Sequence, residues 1–188
     1  VLIPRPESEV IIEAAMKLKL QTKDFRVLDI GSGSGCLAIT LKLQKPEWQI
    51  EAIDISKKAI KTATKNAQQL KADIVFKQAD FKLFKPDKKF DLVVANLPYV
   101  PEYKMNEASI LAEPKIALYG QSKDGLELYR QLFQRIDDFL KPGGTLLIES
   151  EPSQVETLIS LAPGLSSKVH SKFVTCLLYT SDAADEVL

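Results

Sequence analysis

Short, nearly continuous apolar runs alternate along this chain with segments whose apolar residues recur at helical spacing. That alternation restricts the fold more than any other feature. The runs are Phe25 to Ile30, Gln49 to Ile53, Ile74 to Gln78, Phe90-Asp91-Leu92-Val93-Val94-Ala95 and Thr145 to Glu149. Strands that lack polar alternation are buried on both faces, which requires a mostly parallel sheet covered by helices on both sides. Between the runs, residues 7–20 carry Val10, Ile11, Ala14, Ala15 and Leu18 at helical spacing, with Pro6 near the first turn, where a missing N–H costs little. Cys36 to Leu43 predicts a helix stopped near Pro46, and Ser56 predicts the N-cap of a helix bearing Ala59, Ile60, Ala63, Ala67 and Leu70. A further helix is expected to hold Leu126, Tyr129, Leu132, Phe133, Ile136 and Phe139, and another to cover Ser153 to Leu161. Pro142-Gly143-Gly144 reads as the turn before the last run, and Ser167 to Tyr179 as one or two antiparallel strands. The fold class is α/β.

At 188 residues the chain suits one domain with a substantial core, expected over residues 1–180. Lys+Arg and Asp+Glu each number 25, so the formal net charge is zero. A domain that holds long nucleic acid electrostatically is more often basic, so no stable nucleic-acid binding is expected. The two cysteines, Cys36 and Cys176, are far apart and form no metal-like cluster, so no metal is expected and a reducing cytoplasm is the simplest home. No apolar run approaches the ~20 residues that span a bilayer. Leu2-Ile3-Pro4-Arg5-Pro6 reads as the middle of a longer protein, and Ser181 to Leu188 reads as a non-native tail. A monomer is expected.

Ligands of such sheets bind outside the carboxyl ends of the strands. Three stretches fall there: the turn after Ile30, Asp54, and Asn96. Gly31-Ser32-Gly33-Ser34-Gly35 joins a strand to a helix, and its glycines permit positive φ and close ligand approach. The dinucleotide fingerprint G-x-G-x-x-G fails here, because its third glycine would fall at Cys36. Asp54 ends the second strand, where a carboxylate can take both hydroxyls of a ribose. After the third strand, Asp80 can accept from the exocyclic amine of an adenine while Phe81 lies against the ring. The alternative is that Asp80 caps a turn and Phe81 fills the core.

Asn96-Leu97-Pro98-Tyr99 is more specific. An amide nitrogen is a poor nucleophile because its lone pair is delocalised into the carbonyl. An enzyme that alkylates it must hold both N–H bonds and face the nitrogen toward the donor. The Asn96 side-chain oxygen can accept one N–H, the Leu97 carbonyl the other, Pro98 fixes the turn and Tyr99 can stack on the planar group. Asn96, Pro98 and Tyr99 are thus the expected catalytic set, and Asn96 to Tyr99 the substrate grip. Joined to the glycine turn, they predict methyl transfer from a sulfonium cofactor to a planar nitrogen. No general base is evident, and the proton is expected to leave to water.

The ordered set Ile3-Pro4-Arg5-Pro6-Glu7, the glycine turn with Cys36, Asp54, Asp80-Phe81, Asn96 to Tyr99, Glu113-Pro114 with Ala117-Leu118, and Asp124-Gly125-Leu126 with Tyr129-Arg130 resembles the release factor glutamine methyltransferases. The resemblance runs from Leu2 to about Glu149. It implies a Rossmann-like class I methyltransferase fold with a mostly parallel seven-stranded sheet, its last strand antiparallel or incomplete. It implies contact of Gly31 to Gly35, Asp54, Phe81 and Asn96 with S-adenosyl-L-methionine, and methylation of the glutamine in the Gly-Gly-Gln loop of class 1 peptide chain release factors. A small helical domain before Val1, which helps dock the release factor, is also implied. The family usually has proline at position 97. Leu97 keeps the acceptor carbonyl and loses stiffening of ~0.4–1 kcal/mol. Asn-Leu-Pro-Tyr is also the form found in rRNA adenine dimethyltransferases, so N6-adenine methylation of RNA or DNA is the alternative, and a non-catalytic nucleoside-binding module a third. The closing hairpin of the family is not recognisable after Phe173.

The connection from Val100 to Lys123 exceeds the usual upper limit of ~12–15 residues and is the expected substrate lid, ordered by Glu113-Pro114 and Tyr119-Gly120. Arg5 is read either as an anchor near the site or as a surface partner for carboxylates. His170, the single histidine, is expected on a strand or the surface. Cys36, at a helix start, is open to a lowered thiol pKa or to packing beneath the sheet. Lys57, Lys58, Lys61 and Lys65 are expected to form a solvated helix face.

Overall fold

The computed structural model describes residues 8–18, 24–105, 114–161 and 175–180, the last as backbone. Helix α1 (Glu9–Lys17) precedes strand β1 (Arg26–Ile30), followed by α2 (Cys36–Gln44), β2 (Gln49–Asp54), α3 (Lys57–Leu70), β3 (Val75–Gln78) and β4 (Phe90–Ala95). After the long connection come α4 (Glu127–Phe139), β5 (Leu140–Ser150), α5 (Val155–Leu161) and β6 (Thr175–Thr180). Ser56 caps α3 as expected, its hydroxyl accepting the Ala59 N–H at 3.3 Å.

The strands form one sheet in the order β3-β2-β1-β4-β5-β6. Pairings from β3 through β5 are parallel, and β6 runs antiparallel to β5. Six strands stand among the described residues where seven are implied by the resemblance. Residues 162–174, His170 included, lie outside the described residues, as do Arg5, Glu113, and the tail from Ser181.

The strand order reverses beside β1, and this switch point opens the crevice between β1 and β4. Register then sets the site. Ile30 pairs with both Ile53 and Ala95, so Gly31, Asp54 and Asn96 leave the sheet side by side. Ala95 also pairs with Ile148, which brings Glu149 level with Asn96.

Alternation within each strand feeds two cores. On one face Leu28, Ile30, Val93, Leu146 and Ile148 pack with Tyr129, Leu132, Ile136 and Phe139 of α4. On the other, Val27, Ile50, Leu92, Val94 and Leu147 pack with Ile11, Ala14 and Ala15 of α1 and with Leu37, Ala38 and Leu41 of α2. Helices therefore cover both faces, as the unbroken apolar strands require.

One expectation is corrected. Pro142-Gly143-Gly144 does not end an element; it lies within β5 as a bulge, where pairing jumps from Phe90–Leu140 to Leu92–Thr145. Gly143 takes φ 71°, and the Lys141 ammonium grips both Asp91 oxygens, at 2.9 and 2.8 Å, across the irregularity. A bulge and a turn draw on the same residues, and this ion pair holds the strand together through it.

Candidate functional site

The glycine turn is held from below by β2. The Ile53 carbonyl accepts the N–H groups of Gly31 at 2.9 Å and Ser32 at 3.1 Å. Gly31, Gly33 and Gly35 have φ of 77°, 56° and 80°, a conformation in which any Cβ is strained. Gly31, Ser32, Gly33 and Ser34 line an open cavity with Asp54, Asp80, Phe81, Asn96, Leu97 and Pro98. Gly35 lies outside that lining and backs onto α3, where an added Cβ would sit 3.0 Å from that of Ala63. Its role is to let α2 and α3 approach.

Asp54 has one oxygen on the Gly33 N–H at 2.9 Å and the other on the Ser56 N–H at 2.7 Å. Each carboxylate oxygen retains a second acceptor position, so the clamp that fixes the turn does not preclude binding a diol. The turn after β3 shows the turn-and-core reading of its residues. Asp80 accepts the Lys82 N–H at 3.0 Å, its carbonyl accepts from Leu83 and Phe84, and Phe81 joins the core. Both nonetheless face the cavity. Arg135 of α4 binds the carbonyls of Phe81 and, at 2.8 Å, Phe84, and its guanidinium lies 5.1 Å from the Phe139 ring centre.

Asp29 is a site residue that sequence reasoning missed. It is buried at the cavity wall, and neither carboxylate oxygen has a hydrogen-bond partner among the described residues. Burial pushes its pKa up to about 7; the Ala38 backbone N–H, nearby without forming a good hydrogen bond, pulls the other way, and Asp54 adds repulsion. The signal available was an acidic residue in the middle of an apolar strand.

On the opposite wall the Asn96 side-chain nitrogen donates to Glu149 Oε2 at 2.9 Å and to Ser8 Oγ at 3.0 Å. The Ser8 hydroxyl donates to the same Glu149 oxygen at 2.8 Å, and Tyr99 donates to Glu149 Oε1 at 3.0 Å. Tyr99 is therefore tethered by its hydroxyl and, unlike Asn96, Leu97 and Pro98, does not line the cavity. The Tyr129 hydroxyl accepts the Leu97 N–H at 3.3 Å and donates to the Glu149 carbonyl at 2.5 Å. Gln154 ties the Tyr99 and Asp124 carbonyls together at 2.8 Å each. Glu149, Ser8, Tyr129 and Gln154 were not singled out as site residues, because nothing in sequence spacing indicates which strands become neighbours.

The connection after Tyr99 folds back on itself. Val100 donates to Leu118 at 2.8 Å and accepts from Gly120 at 3.1 Å, which brings Pro114, Ile116 and Ala117 onto the cavity rim. Residues 106–113 lie outside the described residues. Cys36 is exposed on the cavity wall rather than packed beneath the sheet, and partial burial together with Asp29 and Glu9 raises its thiol pKa rather than lowering it. Lys57, Lys58, Lys61 and Lys65 are exposed as expected. No group of His, Cys, Asp and Glu among the described residues could hold a metal, and no described helix is long and apolar enough to cross a membrane.

The cavity thus places glycines, the Asp54 carboxylate and a buried acid without a partner among the described residues on one side, and an oriented amide on the other. A family model described as a methyltransferase domain matches residues 21–180. The chain is 38% identical over 153 residues to the release factor glutamine methyltransferase of Koribacter versatilis, covering 79% of this chain and 54% of the relative. It is 41% identical over 170 residues to the enzyme of that name from Leptospira interrogans, covering 85% and 58%. The chain therefore spans a little over half the length of these relatives. A putative S-adenosyl-L-methionine-dependent methyltransferase from Methanococcus maripaludis superposes with a TM-score of 0.65 at 18% identity, covering 97% of this chain and 88% of the other, which shows the shared class I fold. The chain belongs to the methyltransferase-domain family and is similar over most of its length to release factor glutamine methyltransferases.

Proposed function

We propose that this chain transfers a methyl group from S-adenosyl-L-methionine to the side-chain amide nitrogen of the glutamine in the Gly-Gly-Gln motif of class 1 peptide chain release factors. The observation that carries the reading is the Asn96 amide, whose nitrogen is fully engaged by Glu149 and Ser8, leaving its oxygen for an incoming N–H. The Leu97 carbonyl is a second acceptor. Tyr129 lies 3.4 Å from it, but the single hydroxyl proton is committed to the Glu149 carbonyl at 2.5 Å. Two acceptors beside one cavity suit a planar NH2 group.

The donor side fits the cofactor. Asp29 offers an unpaired buried carboxylate to the methionine ammonium, Asp54 its open acceptor positions to the ribose, and Asp80 with Phe81 an edge and a face to adenine. Bound there, the cofactor would supply a methyl on a positively charged sulfur, the carbon–sulfur bond breaking as the carbon–nitrogen bond formed, with sulfur leaving as a neutral thioether and the surplus nitrogen proton going to solvent. Asn96 and Leu97 contribute position. A 1 Å misplacement can cost ~100-fold, so holding the nitrogen in line is most of the catalysis. The glycine turn, Asp54, Asn96 and Pro98 are assigned by this reading, while Tyr99 acts through its tether instead of by stacking. Neutral net charge supports a protein substrate over long nucleic acid, and a free Cys36 suits the cytoplasm. The working unit is proposed to be a monomer, residues 1–180 forming the catalytic domain.

Labelled cofactor offered together with a Gly-Gly-Gln release factor, RNA and DNA tests the proposal. Label is expected in the protein glutamine; label in adenine would establish the alternative enzyme, and binding without transfer to any acceptor a nucleoside-binding module.

A further inference from the structure

We propose that Glu149 is a positioning residue that fixes which end of the Asn96 amide faces the substrate. This rests on the reading of Asn96 as the acceptor above. Glu149 is 2% exposed and, among the described residues, accepts from Asn96 and Ser8 on Oε2 and from Tyr99 on Oε1. A carboxylate facing the amide at 2.9 Å selects its NH2 end, because the flipped amide would set oxygen against oxygen. Ser8 reinforces the choice. Its one proton goes to Glu149, so toward Asn96 it can only accept. The donor–acceptor order therefore runs outward from the carboxylate, and it ends with Asn96 Oδ1 as an acceptor at the cavity. The same residue's backbone carbonyl anchors Tyr129, which takes the Leu97 N–H. One strand end thus aligns both proposed acceptors. The β4–β5 register makes the arrangement available, since Ala95 pairs with Ile148.

Glu149→Gln tests this, because a side-chain amide can donate as well as accept and so permits either Asn96 orientation. The expected outcome is a ~10–100-fold loss of single-turnover transfer with cofactor affinity unchanged, the loss that one misplaced buried hydrogen bond produces. Glu149→Asp, which keeps the acceptor and retracts it, is expected to fall between Gln and the parent. The sharper test is the swap. In Asn96→Asp/Glu149→Gln, the new amide donates to the new carboxylate and an oxygen still faces the cavity, so the double variant should exceed both single variants in transfer and in thermal stability. Independently of turnover, the Asn96 side-chain NH2 should give a slowly exchanging NMR pair, identified by its absence in Asn96→Asp, that loses protection in Glu149→Gln. Unchanged Asn96 amide exchange in Glu149→Gln, or a double variant no better than the worse single one, overturns the proposal. If Glu149→Gln does not fold, the double variant decides alone. A parent protein that binds cofactor and methylates no glutamine, yet shows the exchange response, would refute the substrate reading and leave the positioning role standing.

Discussion

Gly31 and Leu97 are packed together: a Cβ at Gly31 would lie 3.1 Å from Leu97 Cδ2. The glycine turn and the Asn96 to Tyr99 segment are thus one mechanical unit, and Leu97, 4% exposed, is the wedge between them. Gly31→Ala meets that wedge in a strained positive φ, and is expected to cost ~1–2 kcal/mol and to weaken cofactor binding and methyl transfer together. Denaturant unfolding alongside calorimetry checks this.

Leu97→Pro restores the residue usual in the family. Proline here would lose the N–H donated to Tyr129 and the buried leucine side chain. Against a gain of ~0.4–1 kcal/mol from reduced unfolded-chain freedom, the lost hydrogen bond of ~0.5–1.5 kcal/mol and the lost leucine burial together prevail. The variant is expected to melt at a lower temperature than the parent.

Asp29 makes stability and affinity respond to pH in opposite directions. Its pKa rises from 3.8 in the unfolded chain to about 7 in the fold. Between these values the unfolded chain has already released its proton, so the contribution of Asp29 to ligand-free stability is greatest below about pH 4, falls as pH rises, and levels off above about pH 7. A cationic ammonium prefers the ionised form, so cofactor affinity should rise with pH up to about 7 and then plateau. Asp29→Asn should flatten both profiles and weaken binding. Thermal melts and calorimetry between pH 5 and 8 measure the two slopes.

Arg135 binds two carbonyls, those of Phe81 and Phe84, with one planar fork. Arg135→Ala frees the turn that presents Asp80 and Phe81. The loss of one such bond, ~0.5–1.5 kcal/mol, should raise the cofactor KM roughly 2–10-fold with little change in kcat. Arg135→Lys should not rescue it, because a single ammonium cannot reproduce the fork. Steady-state kinetics with cofactor varied separates the cases.

Much of this architecture was legible from local pattern. Unbroken apolar strands required two helical layers, Ser56 announced α3, and three strand ends pointed to Gly31, Asp54 and Asn96. What escaped was set by pairing across the sheet. Glu149 ends an apolar run and looks like a strand terminus until β4–β5 register puts it beside Asn96. Ser8 reaches the same point from a helix start 141 residues away. The tether of the Tyr99 hydroxyl to a buried carboxylate was likewise invisible in the local sequence. Asp29 was hidden by the hydrophobicity of its neighbours, and the bulge at Pro142-Gly143-Gly144 shares its residues with a turn.

Single-turnover methyl transfer to a Gly-Gly-Gln release factor by Asn96→Ala, with cofactor affinity measured on the same preparation, tests the central claim most directly. Removing one buried hydrogen bond of ~1–3 kcal/mol predicts at least a roughly 10–100-fold slower transfer, with cofactor still bound. Transfer at the parent rate would contradict the assignment of Asn96 as the residue that holds the reacting nitrogen.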